Sequence, residues 1–364
     1  MVKLIVFFLA PSLIAWTACG TKLGTSKFKQ TAQASAAVKT LEIAQNEDAF
    51  QEKNHRPSYV ALATGLKTAN KKTRYPWPVV VESIGHNTAS YQNYGDEPYF
   101  HHGLDIRADA GTDVLVSTGG KVVNISNYGP GPAYWEVAIL DDAGFLWQYH
   151  HVDHDSIPEN IWHAYRNKEK IAKGTKIGEV YFWMVNTYGE QYHHIHLNVL
   201  GSGGAYRNPF NFLEPLNDTK APEFLEVGLL RNGYAQDPAL PIQGAYSIYA
   251  TIHDLILHDK FVVPPHKITY QLDDDPRERL VWEFSDLPGG TSNTKYVEDF
   301  FVPSLTCGNY DCRKLTVDLG FSTEGQRWFT NVSGMHTILI HAEDQAGNRT
   351  SHEFKWQVRQ TPAP

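Results

Sequence analysis

Residues 194–200 read His194-Ile195-His196-Leu197-Asn198-Val199-Leu200. On an extended strand successive side chains point to opposite faces, so His194 and His196 share one face while Ile195 and Leu197 pack on the other. Upstream, the runs DVLVS, KVVNIS, WEVAIL and FLWQYHHV are separated by Gly and Asp turns, the pattern of antiparallel β structure. The clearest hairpin runs from residues 135–140 through Asp141-Asp142-Ala143-Gly144 into residues 145–152. A polar, partly helical insert follows at 154–170. After a linker that starts at Asn217, further strand signals appear: YSIYATI, KITYQL, LVWEF, LTVDLGF, HTILIHAED and HEFKWQV. The expected fold is therefore mainly β, an antiparallel sheet domain over 76–216 followed by a β-sandwich over 217–364.

The rest of the chain bounds the setting. Its 364 residues, 42% hydrophobic and 20% charged, have a globular composition. A net charge of −8 argues against a nucleic-acid partner, which needs clustered Lys and Arg. That charge is uneven: residues 20–75 hold ten Lys and Arg against four acids, a net +6, so with Lys3 set aside residues 76–364 carry −15. Residues 1–18 place one Lys before an apolar run of roughly a dozen residues and read as an export signal. Cys19 follows small residues as in bacterial lipoproteins, which predicts a lipid anchor to the membrane. Residues 19–75 read as a basic tether with one short helix near 37–50. The two other cysteines, Cys307 and Cys312, form an even pair in an oxidising compartment and predict a local disulfide. Nothing in the sequence speaks to oligomeric state.

Ten of the seventeen His fall between residues 86 and 196. Three clusters matter: His101-His102-Gly103-Leu104-Asp105, Tyr149-His150-His151, and His193-His194-Ile195-His196. Strand alternation puts His101, Gly103 and Asp105 on one face, with Gly103 keeping the space between the two donors open. Two imidazoles and a carboxylate suit Zn²⁺ and leave a fourth position for water, the arrangement of a catalytic site. Any one cluster alone is more often packed or surface histidine; their order along one β-rich segment is what points to a metal. By the same alternation His102, His150 and His193 fall on the opposite faces.

These residues resemble the lysostaphin-type, or LytM-domain, zinc endopeptidases. The match runs His101-His102-Gly103-Leu104-Asp105, Gly111-Thr112-Asp113-Val114, Gly120-Lys121-Val122, Tyr149-His150-His151, Gly174-Thr175-Lys176-Ile177-Gly178 and His194-Ile195-His196. The resemblance implies that His101, Asp105 and His196 hold one zinc ion. It implies that His151 and His194 are catalytic, polarising the water and stabilising the oxyanion. Its substrate would be the peptide cross-links of peptidoglycan in the cell envelope. Two rival functions are a peptidoglycan-binding regulatory factor without turnover and a secreted protease of glycine-rich proteins. The approach 181–192 and the insert 154–170 depart from the family pattern and bear on selectivity. The closing stretch 336–358 resembles the end of an immunoglobulin-like module.

Overall fold

The structure, a computed structural model, describes residues 58–65, 74–85, 91–94, 97–184, 186–187, 190–232, 234–258, 263–287, 302, 315–318 and 332–359. The predicted signal 1–18, Cys19, the helix near 37–50, His86 and the Cys307–Cys312 pair lie outside these residues. So does the whole of one compact unit, Met1–Leu41; the other is Glu42–Pro364. No helix among the described residues is long and apolar enough to cross a membrane.

The first half of the second unit comprises β1 (Ser83–Ile84), β2 (Tyr91–Tyr94), β3 (Glu97–Phe100), β4 (Leu104–Arg107), β5 (Asp113–Leu115), β6 (Gly120–Asn127), β7 (Trp135–Asp141) and β8 (Leu146–His150). It continues with α1 (Glu159–Asn167), β9 (Lys170–Ile171), β10 (Lys176–Glu179), β11 (Asn186–Thr187), β12 (Glu190–Gln191), β13 (His194–Gly201) and β14 (Ala205–Arg207). The main sheet is ordered β1-β4-β13-β8-β7-β6-β9, and β14 also pairs with β13. Its pairings are all antiparallel. The predicted hairpin is there: Leu140 faces Leu146, Gly144 takes φ +83°, and Asp141 Oδ1 accepts from Phe145 N at 2.8 Å. Helix α1 forms in the polar insert, buries Ile161 and Ala164 three residues apart, and stops at Lys168 in the left-handed conformation.

Alternation sorts the central strands into two faces. Leu104, Ile106, Val137, Ile139, Trp147, Tyr149, Ile195, Leu197 and Val199 are fully buried in one cluster on one side. Each such burial is worth roughly 1.5–3 kcal/mol. Asp105, Glu136, Gln148, His150, His194, His196 and Asn198 occupy the intervening positions and point to the other side.

The second half forms two four-stranded sheets that share one core. Its strands are β15 (Glu223–Arg231), β16 (Tyr234–Gln236), β17 (Ser247–His253), β18 (Lys267–Leu272), β19 (Arg279–Glu283), β20 (Leu315–Asp318), β21 (Gly334–Glu343) and β22 (Arg349–Val358). One sheet runs β16-β15-β17-β20 and the other β19-β18-β21-β22. The connecting stretch 214–222 has no regular structure. The shared core nevertheless crosses it, taking Ala138, Leu146, Leu200 and Tyr206 from the main sheet. Asn208 N donates to Ser285 O at 3.0 Å, Leu287 N to Tyr206 O at 3.2 Å, and Arg207 pairs with Asp286.

Part of the stretch read as tether also joins the main sheet. Residues Ser58–Leu62 form a 3-10 turn, Thr64 N donates to Gly144 O at 2.7 Å, and Ala63 is buried. Sequence patterning misses this because a single turn is too short to show a period.

Candidate active site

A straight row of polar residues crosses four strands of the main sheet. Asp105 on β4 pairs with His196 on β13, His196 with His150 on β8, and His150 with Glu136 on β7. Directly opposed residues in an antiparallel sheet share a face, so all four side chains stand on the side away from the apolar core.

At one end of the row three donors converge. His101 Nε2 lies 3.1 Å and His196 Nδ1 2.9 Å from Asp105 Oδ1. All three residues are buried and their ligating atoms lie within 4.8 Å of one another. Donors about 2.0–2.2 Å from a tetrahedral centre sit roughly 3.4 Å apart, so the set fits one zinc ion with little movement. The neighbours orient these donors. Tyr192 donates its hydroxyl to Asp105 Oδ2 at 2.9 Å, and His196 Nε2 meets Asn198 Oδ1 at 2.8 Å. The second contact makes Nε2–H the donor and leaves the Nδ1 lone pair for a metal. A Cβ on Gly103 would run into Asn198 Oδ1 and His196 Nε2, and one on Gly85 into the Tyr192 hydroxyl. Gly103 thus leaves room for His196 and Asn198 rather than for a gap between His101 and Asp105. His101 arrives differently: β4 begins at Leu104, so the preceding loop, not strand alternation, delivers it.

His151 and His194 flank this centre, their rings 4.6 Å apart. His194 Nδ1 bonds the Tyr192 carbonyl at 2.7 Å and His151 Nδ1 the Ala133 carbonyl at 2.8 Å. A carbonyl only accepts, so each ring carries its proton on Nδ1 and keeps Nε2 as its basic nitrogen. His194 Nε2 stands 3.9 Å from Asp105 Oδ1. Burial, then the neighbouring His194, hold His151 well below the usual imidazole range. Burial also lowers His194, against the pull of Asp105. For Asp105 burial alone would raise the carboxyl, but His101 and His194 hold it well below the usual carboxylate range. Trp183, from the approach that departs from the family pattern, stands 4.7 Å from the His151 ring and 5.2 Å from that of His194.

The assignment of His102 and His150 to the opposite faces needs correction. His150 is on the site face, its ring 5.3 Å from His196, and Asn198 Nδ2 lies 3.1 Å from its Nε2. Strand β8 ends there, and His151 takes φ +63°, so two neighbours reach the same site. His102 precedes the strand too, and its buried ring lies 5.0 Å from His196. His193 does stand apart, half-buried and bonded to Trp183 N at 2.9 Å.

Sequence reasoning missed the polar tract behind the centre. Glu136 accepts from Asn124 at 2.7 Å, from Gln148 at 3.1 Å and from the Tyr59 hydroxyl, while Asn198 Nδ2 donates to Gln148 Oε1 at 3.2 Å. Burial pushes the Glu136 carboxyl up to about 7, against the hydrogen bonds from Tyr59 and Asn124. Carrying the alternation one step on from His196 would have found Asn198, and one step back from His150 Gln148. No local signal points to Tyr59.

Residues 99–209 match the model of peptidase family M23. Among solved structures the chain is similar to Csd3 of Helicobacter pylori, at 18% identity over 40% of this chain and 36% of that one, with a TM-score of 0.30. It is similar to the catalytic domain of the antimicrobial peptidase lysostaphin from Staphylococcus simulans, at 20% identity over 35% of this chain and 89% of that one, TM-score 0.26. A zinc-containing peptidase from Vibrio cholerae matches at 18% identity over 39% of this chain and 40% of that one, TM-score 0.26. The chain thus spans about a third of the length of Csd3. No curated protein matches it. The stretch that matches the peptidase family M23 model, residues 99–209, holds His101, Asp105, His151, His194 and His196.

Proposed function

We propose that this chain is an exported, zinc-dependent endopeptidase that hydrolyses peptide cross-links of bacterial peptidoglycan. The observation that carries the reading is the convergence of His101, Asp105 and His196 beside two histidines whose basic nitrogens are left open. Zinc held there supplies Lewis-acid polarisation of the scissile carbonyl and lowers the pKa of a water. The chain's own groups do the rest. His151 and His194, fixed through Nδ1 to backbone carbonyls, take the water's proton on Nε2 and return it to the leaving amine. The ring that carries the proton also stabilises the developing oxyanion. Trp183 packs against both rings in edge geometry and forms one wall beside them.

In this reading Cys19 carries the lipid that tethers residues 19–75 to the envelope. The immunoglobulin-like module 217–364 spaces or docks the enzyme. A lipid anchor fits an envelope with an outer membrane and favours D-alanyl-diaminopimelate cross-links over glycine bridges. The test is a mass spectrum of products from purified sacculi of defined chemistry, with elastin-like peptides beside them. New amine and carboxyl termini within the cross-link are expected. Full zinc occupancy without product from any sacculus would leave a binding factor and sink the enzymatic reading.

A further inference from the structure

A second convergence of ligating atoms lies outside the M23 domain. One carboxylate oxygen from each of Asp218, Asp254 and Asp344 lies within 4.8 Å of the others. Asp218 belongs to the connecting stretch 214–222, Asp254 directly follows β17, and Asp344 opens the β21–β22 turn. Three separate segments therefore bring like charges together.

The backbone imposes this meeting. Asp254 exchanges both main-chain hydrogen bonds with Val263, each 3.0 Å. Asn348 donates from N to Asp344 Oδ1 and from Nδ2 to Asp344 Oδ2, each at 2.8 Å, and from Nδ2 to the Asp218 carbonyl at 3.1 Å. The side chain of Asn348 thus aims one acid and draws the connecting stretch towards it. Asp254 and Asp344 are each only 2% exposed. Asp254 Oδ1 is buried with no hydrogen-bond partner. A buried carboxylate with an unmet oxygen beside two others is costly unless a cation joins it.

We propose that Asp218, Asp254 and Asp344 bind one calcium ion that clips the connecting stretch to the carboxy-terminal sandwich. The donors are all carboxylate oxygens, which select a hard cation and not zinc. Calcium bonds of about 2.3–2.6 Å place ligands up to roughly 5 Å apart across the ion, a span that the spacing of these oxygens matches. Waters complete its shell of about 6–8 ligands, which magnesium's strict octahedron tolerates less well. The inference is independent of the peptidase reading, since it concerns none of the same residues.

The experiment titrates CaCl₂ into the zinc-loaded full chain, following heat release and Tm. Extracellular calcium sites have Kd values of about 10⁻⁴–10⁻³ M, so about 10 mM calcium should shift the folding equilibrium roughly 10- to 100-fold and raise Tm by a few degrees. One calcium per chain is expected. Asp254→Asn should abolish the heat and the shift while being at least as stable as wild type without calcium, because it removes a buried like charge. Asp218→Asn, at a half-buried position of the mostly exposed connecting stretch, gives the same loss if Asp254→Asn fails to fold. His101→Ala should lose zinc and keep the calcium response. The proposal is overturned if wild type shows no saturable calcium heat, if both Asp→Asn variants respond as wild type, or if MgCl₂ at equal concentration gives an equal shift.

Discussion

At the scale of single residues, His150 and His151 show how one backbone torsion reassigns a side chain. His151 leaves the strand in a left-handed conformation that costs a non-glycine residue about 1–2 kcal/mol, and the Ala133 carbonyl receives its ring there. Asp105→Ala or His196→Ala should lose zinc and activity together, measured by metal content and turnover, because three ligands leave none to spare. His151→Ala should keep most of its zinc and lose turnover by roughly 10²- to 10⁴-fold. A His151→Ala enzyme that lost its metal would move that residue into the ligand set. His150 and His193, which alternation treats alike, should now separate. His150→Ala removes a partner of Asn198, the residue that orients His196, and should weaken zinc binding by about 10-fold, at the low end for such partners. His193→Ala should stay near wild type. Equal zinc affinity in the two variants would refute the row as drawn.

At the scale of elements, the legible part of the site is what period-2 patterning can carry. HIHLNVL declares its two faces, and the order of motifs places β4, β8 and β13 within one sheet domain. Three things are illegible: where a strand stops, as at His150; which residues face one another across strands, as Glu136 and His150 do; and what a distant turn contributes, as Tyr59 does. Each depends on pairing between segments far apart in sequence. The Glu136 tract offers a test by pH. Its carboxyl titrates near 4.5 unfolded and about 7 folded, so the folded state prefers the protonated form. The stability this group contributes is present below pH 4.5 and is lost as pH rises through about 7. Glu136→Gln stays neutral and should gain on wild type by on the order of 3 kcal/mol between those limits, read from denaturant midpoints at matched pH. A difference that is flat with pH would mean that Glu136 is ionised throughout.

At the scale of the whole molecule, the connecting stretch 214–222 looks like a joint in the sequence, but the core does not stop there. Leu200 is fully buried in the cluster that includes Ile268, Trp282 and Trp356 of the sandwich. Leu200→Ala should cost about 2–5 kcal/mol. Calorimetry should show one transition that moves as a whole; a shift confined to one of two resolved transitions would mean that the two halves melt separately.

Strand β13 holds His194 and His196 near its start and Leu200 and Gly201 at its end, four residues or roughly 13 Å beyond His196. One strand is thus shared between the candidate site and the neighbouring core. Anyone grafting residues 99–209 onto a different partner module will find that cutting at the visible joint leaves Leu200, Tyr206 and Arg207 fitted to a surface that has gone. A working chimaera has to change owners part-way along β13, carrying those three side chains over with the sandwich they were shaped against.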